Sequence, residues 1–337
     1  MPISGFRRFR KHQWGLQSSF ASNVPATRIL PWRGPIVVNP AREDPDVDVG
    51  SLDPILSPLN GAQENTATLD ITALSFDDAT YAWAATVKGG VTPTGATAKS
   101  WVFQAASLTA DNFEYFTDQW GDDYVTDWIN GGSGVGDQLS IGFDEGLGVW
   151  TGSLDMVYAR AELGAGPTGA LTIDQTPQWI YGADTEVYLD PTPGAIGTTK
   201  WVDAVHGVTV AIANNLDKKR FANGSNTRFE LAGYGRGPRN ITVTIVVAKT
   251  TDTVAERATL DDTPVPDRYI ELRTTSPEII TGAIPYSQSV RVPARLISVE
   301  DGEINNNDTL TFTYTGFYDD TLTYALLVTL VNTQSAL

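Results

Sequence analysis

The feature that most constrains the fold is a two-residue alternation of apolar and polar side chains, which recurs in short runs along the chain. In the run 241–247, an isoleucine or valine occupies every second position. Because successive side chains of a β-strand point to opposite faces, this period predicts strands with one buried face. Similar runs lie at 69–71, 81–87, 139–143, 154–158, 208–212, 310–314 and 322–330.

Residues typical of turns separate these runs, among them Asp77-Asp78, Asp144-Glu145 and 300–302. The glycine-rich segment 131–136 lacks the Lys-Ser/Thr of a phosphate loop and is interpreted as a flexible hairpin loop. Two short helices are predicted, over Ala110–Gln119 behind an N-cap at Thr109, and over Asp252–Leu260. We therefore predict an all-β protein, an antiparallel β-sandwich or barrel with one or two short helices.

The two halves of the sequence are similar at an offset of 156 to 161 residues, which predicts an internal duplication. The segments Asn65–Val87 and Asn226–Lys249 are similar, as are Leu139–Gly146 and Leu296–Gly302. The predicted organisation is an extended basic N-terminal arm (1–42), a first β domain (43–163), a linker (164–176) and a second β domain (177–337).

Charge is unevenly distributed along the chain, whose net charge is −17. Residues 1–42 carry seven Lys or Arg and no acidic residue, whereas residues 43–162 carry three basic and twenty acidic residues. A basic arm on an acidic body favours head-to-tail contact between copies of the chain. The alternative is that the acidic surface only keeps the body soluble.

Several classes of chemistry are disfavoured by composition. The chain has no cysteine and two histidines, which excludes thiol catalysis and any site that needs several histidines from one subunit. No apolar stretch is long enough for a transmembrane helix. Paired carboxylates could serve a glycosidase, but Asp pairs of this kind usually form turns. We therefore predict no enzyme activity, no cofactor and no metal. The paired carboxylates considered for a glycosidase begin at Asp122, Asp144, Asp261 and Asp319.

The N-terminal arm interleaves cations with aromatic side chains. This pattern can indicate nucleic-acid binding, but an acidic body repels phosphate, so we favour contact with a neighbouring subunit. The tryptophans, nine in all, could form carbohydrate-stacking platforms, although burial is their commoner use. The candidate inter-subunit residues of the arm are Arg7, Arg8, Phe9, Arg10, Lys11 and Trp14.

Four segments carry a resemblance to a known family. The N-terminal WGLQSSFASNVPATRILPWRG (Trp14–Gly34) and the later TEVYLDPTPGAIGTTKWVDAVHGVTVAIANNL (Thr185–Leu216) resemble the siphophage major tail tube proteins of actinobacteriophage-like viruses. RFELAGYGRGPRNITVTIVVAK and VEDGEINNNDTLTFTYTGFYDD are similar to later strands of that family. Gln17-Ser18 departs from the family, which usually has threonine after the glycine.

The resemblance implies a structural subunit of the virion tail, assembled in the host bacterial cytoplasm without a membrane. Such subunits form homo-oligomeric rings, hexameric or trimeric and pseudo-hexameric, in which arms link successive rings. They contact other tail proteins and surround a negatively charged channel through which double-stranded DNA passes without specific binding. The alternative is a carbohydrate-binding β-sandwich or adhesin-like virion protein. Three basic residues cannot pair with twenty acidic ones within residues 43–162, so unpaired carboxylates of this segment must face solvent. The candidate lumen carboxylates are those at its predicted turns: Asp77, Asp78, Asp122, Asp123, Asp144 and Glu145.

Overall fold

The computed structural model describes residues 10–20, 22–43, 59–105, 113–122, 127–144, 148–164, 167–201, 205–221 and 230–337. These residues form a mostly antiparallel β protein with two short helices, α1 (Phe76–Thr86) and α2 (Thr251–Ala258), which confirms the predicted all-β sandwich. The helix predicted over Asp252–Leu260 is confirmed as α2 and the 3₁₀ turn that follows it.

The strands are numbered in chain order. The first half contains β1 (Arg10–Gln17), β2 (Arg28–Leu30), β3 (Pro40–Glu43), β4 (Leu59–Gln63), β5 (Asn65–Ile71), β6 (Lys99–Gln104), β7 (Tyr115–Asp122), β8 (Asp127–Phe143), β9 (Thr151–Tyr158) and β10 (Arg160–Leu163). The second half contains β11 (Thr185–Asp190), β12 (Val205–Ala213), β13 (Leu216–Lys219), β14 (Gly233–Arg236), β15 (Asn240–Ala248), β16 (Asp267–Thr281), β17 (Ile284–Ile304), β18 (Asn307–Gly316) and β19 (Leu327–Asn332).

Two sets of strands pair in the same order. In the N-terminal set, β7, β8, β9 and β5 are neighbours, and in the C-terminal set β16, β17, β18 and β15 are neighbours. A further strand pairs with the first member of each set, β1 with β7 and β11 with β16. Likewise β10 pairs with β8 and β19 with β17, and a helix follows β5 and β15.

The two sets are joined through hydrogen-bonded strands. β12 pairs with β15 of its own set and with β8 of the other, so that Leu139, Ile212 and Ile241 lie in one row. β6 pairs with β19 in the same way. One hydrophobic cluster contains residues from both sets, from Trp14 to Leu330. The predicted boundary at 164–176 therefore does not divide the core.

Helix α1 corrects the strand predicted over 81–87. Ser75 is its N-cap, since the Asp78 backbone N–H donates to the Ser75 hydroxyl at 3.0 Å, and four alanines in the next two turns favour helix. Ten of its eleven residues are buried. A helix buried on all sides is apolar at most positions, so the large side chains Tyr81 and Trp83 lie two residues apart within a continuous apolar run and imitate the period of a strand. Asp77-Asp78 therefore lies in a helix and not in a turn.

The glycine-rich segment 131–136 is also not a loop, because it lies in the middle of β8. A Cβ on Gly131 or Gly134 would lie 2.5 or 2.7 Å from the ring of Tyr158. These glycines therefore let a buried aromatic ring lie directly against the strand. Glycine occurs in strands where a side chain packs closely against the backbone, as well as in turns, and the sequence pattern does not distinguish these two cases.

Two further predictions at strand ends are wrong. Of the helix predicted over Ala110–Gln119, the structure describes residues 113–119, which contain no helix: the strand β7 begins at Tyr115. The turn predicted at 300–302 lies within β17, and the chain reverses instead at Asn305 and Asn306. Both asparagines have positive φ, of 51° and 63°, as a two-residue hairpin of the favoured twist requires.

Candidate functional site

The predicted inter-subunit arm is in part a core strand. Arg7, Arg8 and Phe9 lie outside the described residues, whereas Arg10, Lys11 and Trp14 belong to β1, which pairs with both β2 and β7. The Arg10 guanidinium is exposed and lies 5.2 Å from the centre of the Trp120 ring. Lys11 is half-buried.

The prediction that Trp14 contacts a neighbouring subunit is wrong. Its side chain is fully buried, with ring centroids 4.8 Å from Phe116 and 5.3 Å from Trp32. Two positions earlier, His12 contacts the carboxylate of Asp118 at 3.1 Å, and both side chains are buried. A strand whose apolar face fills its own core cannot present that face to another chain.

Asp78, predicted to face a channel, is buried and paired. Its carboxylate accepts from the Arg28 guanidinium at 2.8 and 3.1 Å and from the Ser75 hydroxyl at 2.8 Å. Burial raises the pKa of Asp78, and the Arg28 charge offsets part of that rise. The side chain is 2% exposed, so it presents no charge to solvent. Its role is to hold the start of α1 against β2.

The other predicted carboxylates lie in different settings. Asp77 is half-buried and accepts from the backbone and hydroxyl of Thr333, and burial raises the pKa of Asp77. Asp122 is 5% exposed at the end of β7. Asp144 is exposed, at the start of the connection from β8 to β9. Asp123 and Glu145 lie outside the described residues.

An exposed acidic cluster that the sequence analysis missed lies at the end of the β17–β18 hairpin. Glu300, Asp301, Glu303 and Asp308 are all exposed there. Asp301 accepts from Lys249 at 3.0 Å and from Arg257 at 3.2 Å, and these hydrogen bonds and charges lower the pKa of Asp301. The equivalent hairpin of the N-terminal set, β8–β9, carries the exposed Asp144. The two sets therefore share acidic residues at the same hairpin.

Helix α1 lies between the two sets. The Trp83 indole N–H donates to the Gln288 side chain in β17 at 3.1 Å. The amide of Asn332 in β19 donates to the Thr80 hydroxyl at 2.7 Å and to the Phe76 carbonyl at 2.9 Å. On the side of its own set, α1 packs on β8, where a Cβ on Gly136 would lie 2.5 Å from Thr86.

Helix α2 occupies the corresponding place in the C-terminal set, but most of it is exposed. Aligned on their N-caps, Ser75 and Thr250, the two helices place Thr251, Ala255 and Ala258 at the positions of Phe76, Thr80 and Trp83. These three α2 residues are exposed, and Val254 is 45% exposed. The other side of α2 is anchored through Glu256, which accepts from Arg268 at 2.9 Å.

Two strand regions that are covered in one set are open in the other. Beyond Arg295, the edge of β17 that β16 occupies has no strand partner in the described chain, whereas β12 covers that edge of β8. Ile297, just past this point, is 54% exposed. In β10, Leu163 is 75% exposed beside Ile129, whereas Leu330 in the equivalent strand β19 is fully buried.

A small groove of about 270 Å³ lies on the outer face of β16 and β17, with Thr329 at its rim. Glu271 is buried in it and accepts from Arg273 at 2.9 Å, Arg291 at 3.3 Å and Ser289 at 2.8 Å. Burial raises the pKa of Glu271, but these donors outweigh it, and the net effect is a lowered pKa. The one carboxylate thus accepts from two guanidiniums and a hydroxyl of the same two strands, as expected of a structural network.

Features of other protein classes are scarce in the described residues. These contain no group of three or more potential metal ligands among His, Cys, Asp and Glu side chains. No described helix combines the length and apolar character that crossing a membrane requires. Of the tryptophans considered for carbohydrate stacking, Trp101, Trp128 and Trp150 are fully buried, whereas Trp120 and Trp179 are half-buried. No protein-family model matches the sequence, and no curated protein matches it.

Proposed function

We propose that the protein is the structural subunit of a phage tail tube, which polymerises into stacked rings around a DNA-conducting channel. The observation that carries the proposal is the repeated order of strand pairing, joined within one chain by strands and by a helix. A chain that already binds one such unit to another through its edges is suited to extend the same contact to further copies.

The repeat also bears on stoichiometry. An internal duplication agrees with the two sets, each with a helix after one strand and a strand pair on either side of a long central strand. In these sets β5 and α1 correspond to β15 and α2, so the predicted match of Asn65–Val87 with Asn226–Lys249 is out of register. If each set supplies one sixth of a ring, three chains form a complete ring. The sequence similarity alone left six chains and three chains equally open.

The acidic hairpins give the proposed channel its charge. Glu300, Glu303 and Asp308 at β17–β18 and Asp144 at β8–β9 are exposed at the same place in the two sets. Repeated around a ring, they would form a band of negative charge that repels phosphate and lets DNA slide. Asp78 and Asp122 are buried and do not contribute to this band.

The alternative, a carbohydrate-binding β-sandwich or adhesin, loses its main support in the described residues. A stacking platform needs an exposed aromatic face, and none of the described tryptophans is exposed: six are buried and Trp120, Trp179 and Trp201 are half-buried.

Electron microscopy of the purified full chain, at rising concentration, tests the proposal. We expect rings or tubes with a central channel, and a strict monomer at all concentrations would contradict it. The channel is tested on assembled particles with short double-stranded DNA and fluorescence anisotropy. Native tubes should not retain DNA, whereas tubes of the Glu300→Lys/Glu303→Lys variant should retain it in low salt and release it in high salt. Equal retention by both would contradict the acidic channel.

A further inference from the structure

We infer that α2 is one half of a head-to-tail interface whose other half is the β8–β10 edge of a second copy of the chain. The inference rests on the contact that α1 makes with β17 and β19 inside the chain. It deepens the self-assembly proposed above, because it names the surfaces through which copies meet.

The contact inside the chain has two partners of defined chemistry. One is the face of α1 formed by Phe76, Thr80 and Trp83, and the other is the β17–β19 pair, with Gln288 and Asn332 as hydrogen-bonding groups. The Phe76 ring also lies 5.8 Å from that of Tyr286. The helix of the N-terminal set therefore docks on the central and outer strands of the C-terminal set.

The chain contains an equivalent of the helix face and an equivalent of the strand pair, but these two equivalents are not docked on each other. The face of α2 at Thr251, Ala255 and Ala258 is exposed, and the strand pair β8–β10 of the N-terminal set is equivalent to β17–β19. In the strand pair, Leu163 is 75% exposed and opposite the half-buried Ile129. A helix face of small side chains and a strand end with an exposed leucine thus remain without a docked partner at equivalent places of the two sets.

A second copy is the occupant that fits both surfaces. The two leftover surfaces belong to different sets, so one copy offers its α2 while the next offers its β8–β10 edge. This contact is heterologous, and repeating it closes a ring or extends a filament. In this arrangement, the open edge of β17 beyond Arg295 in one copy faces the segment Arg33–Val37 of the next copy. Within the chain, β12 pairs with β15 and also covers the equivalent edge of β8. The segment Arg33–Val37 forms bridges to β5, the equivalent of β15, so its place beside β17 of the neighbouring copy corresponds to that of β12 beside β8.

Engineered cysteines test the interface directly, because the chain has none of its own. Two single variants, Leu163→Cys and Ala258→Cys, are purified, mixed in equal amounts and oxidised under conditions of assembly. We expect a disulfide-linked dimer that neither variant forms alone at the same concentration. The double variant Leu163→Cys/Ala258→Cys should give closed or laddered multimers on a non-reducing gel.

A matched control uses Ile279→Cys in place of Ala258→Cys, since Ile279 is 52% exposed on the β16–β17 hairpin, away from the proposed contact. Cross-linking with Leu163→Cys at least tenfold above this control supports the inference. Particles that assemble in the microscope without that excess would overturn the interface but leave the tube function standing. A monomer that neither assembles nor cross-links would overturn both.

Discussion

The two helices of this protein have similar caps and equivalent places in their sets, yet their surroundings differ. Helix α1 begins behind Ser75 and is buried at ten of its eleven positions. Helix α2 begins behind Thr250, whose hydroxyl and that of Thr253 form a reciprocal capping box, and one of its eight residues is buried. Caps therefore set where a helix starts, whereas the neighbouring unit decides how much of it is buried.

The difference also explains the two compositions. Because α1 is enclosed by β8 on one side and β17 and β19 on the other, it carries Phe76, Tyr81 and Trp83. Helix α2 has threonine, alanine, glutamate and arginine on its surface, which suits solvent or a contact that forms only on assembly. The comparison makes four predictions, in order of decreasing effect on the free energy of unfolding.

The largest effect is expected from removing residues 1–14. The deletion takes away five of the eight residues of β1, which pairs with β2 and β7, and with them the buried Trp14 and His12. Loss of a buried tryptophan alone costs about 3–5 kcal/mol, and a domain has only about 5–15 kcal/mol in total. Circular dichroism and thermal melting should show loss of the cooperative transition. A truncated chain that melts like the full chain would mean that β1 is dispensable to the core.

The second prediction tests the difference in burial between α1 and α2. Trp83→Ala should lower the free energy of unfolding by about 3–5 kcal/mol, because it empties a space between the two sets and leaves Gln288 without its donor. In α2, Val254→Ala should change it by less than about 0.5 kcal/mol, because the side chain is 45% exposed. Urea titration under dilute, monomeric conditions measures both. Equal costs would show that α2 is as enclosed as α1.

These contrasts indicate what the sequence could and could not predict. Strands with one buried face, such as β15, β18 and β9, were predictable because their period of two reflects a sheet that is apolar on one side. Helix α1 was not, because it is buried on both sides and its apolar positions follow no single period. Gly131 and Gly134 were mistaken for a loop because their reason is the ring of Tyr158, a residue distant in sequence.

The candidate site shows the same limit. Carboxylates were assigned to solvent from the charge balance of one segment, but Asp78 finds its counter-charge in Arg28, fifty residues away along the chain. The exposed acidic hairpin at Glu300 and Glu303 lies in the other half. The net charge of a segment therefore predicts the sign of the surface charge but not which residues carry that charge. Ion pairs such as Arg28–Asp78 join residues that are distant in sequence, and a count within one segment does not detect them.

The third prediction concerns the first turns of the helices. Asp78→Ala should cost roughly 3 kcal/mol, since it leaves the Arg28 guanidinium in a half-buried site without its partner. The residue at the same helical position of α2 is Thr253, whose hydroxyl completes a capping box. Thr253→Ala should cost about 1 kcal/mol. Chemical denaturation compares the two variants. If Asp78→Ala costs no more than Thr253→Ala, the Arg28 pair contributes nothing beyond a cap.

The smallest expected effect compares the outer faces of the two sets and depends on pH. In the C-terminal set this face carries Glu271 among Arg273, Ser289 and Arg291. The equivalent position of the N-terminal set holds the uncharged Gln119, which accepts from the Thr168 hydroxyl at 3.0 Å. The pKa of Glu271 is lowered in the folded protein, because the arginine and serine donors outweigh its burial. The unfolded chain therefore binds the proton more readily, and the stabilisation is present above the unfolded pKa of about 4.3 and lost as pH falls through the lower, folded value.

Glu271→Gln should accordingly lower the free energy of unfolding by about 2 kcal/mol at pH 7, the scale of hydrogen bonds to a charged group. The difference from the native chain should shrink as the pH is brought below about 4, where the native carboxylate also loses its charge. Gln119→Ala is the matched control, because no titrating group takes part in the contact with Thr168 and its cost should not vary with pH. Urea titrations at several pH values measure both variants. A pH-independent cost for Glu271→Gln would mean that its hydrogen bonds, and not its charge, hold the outer face of β16 and β17 together.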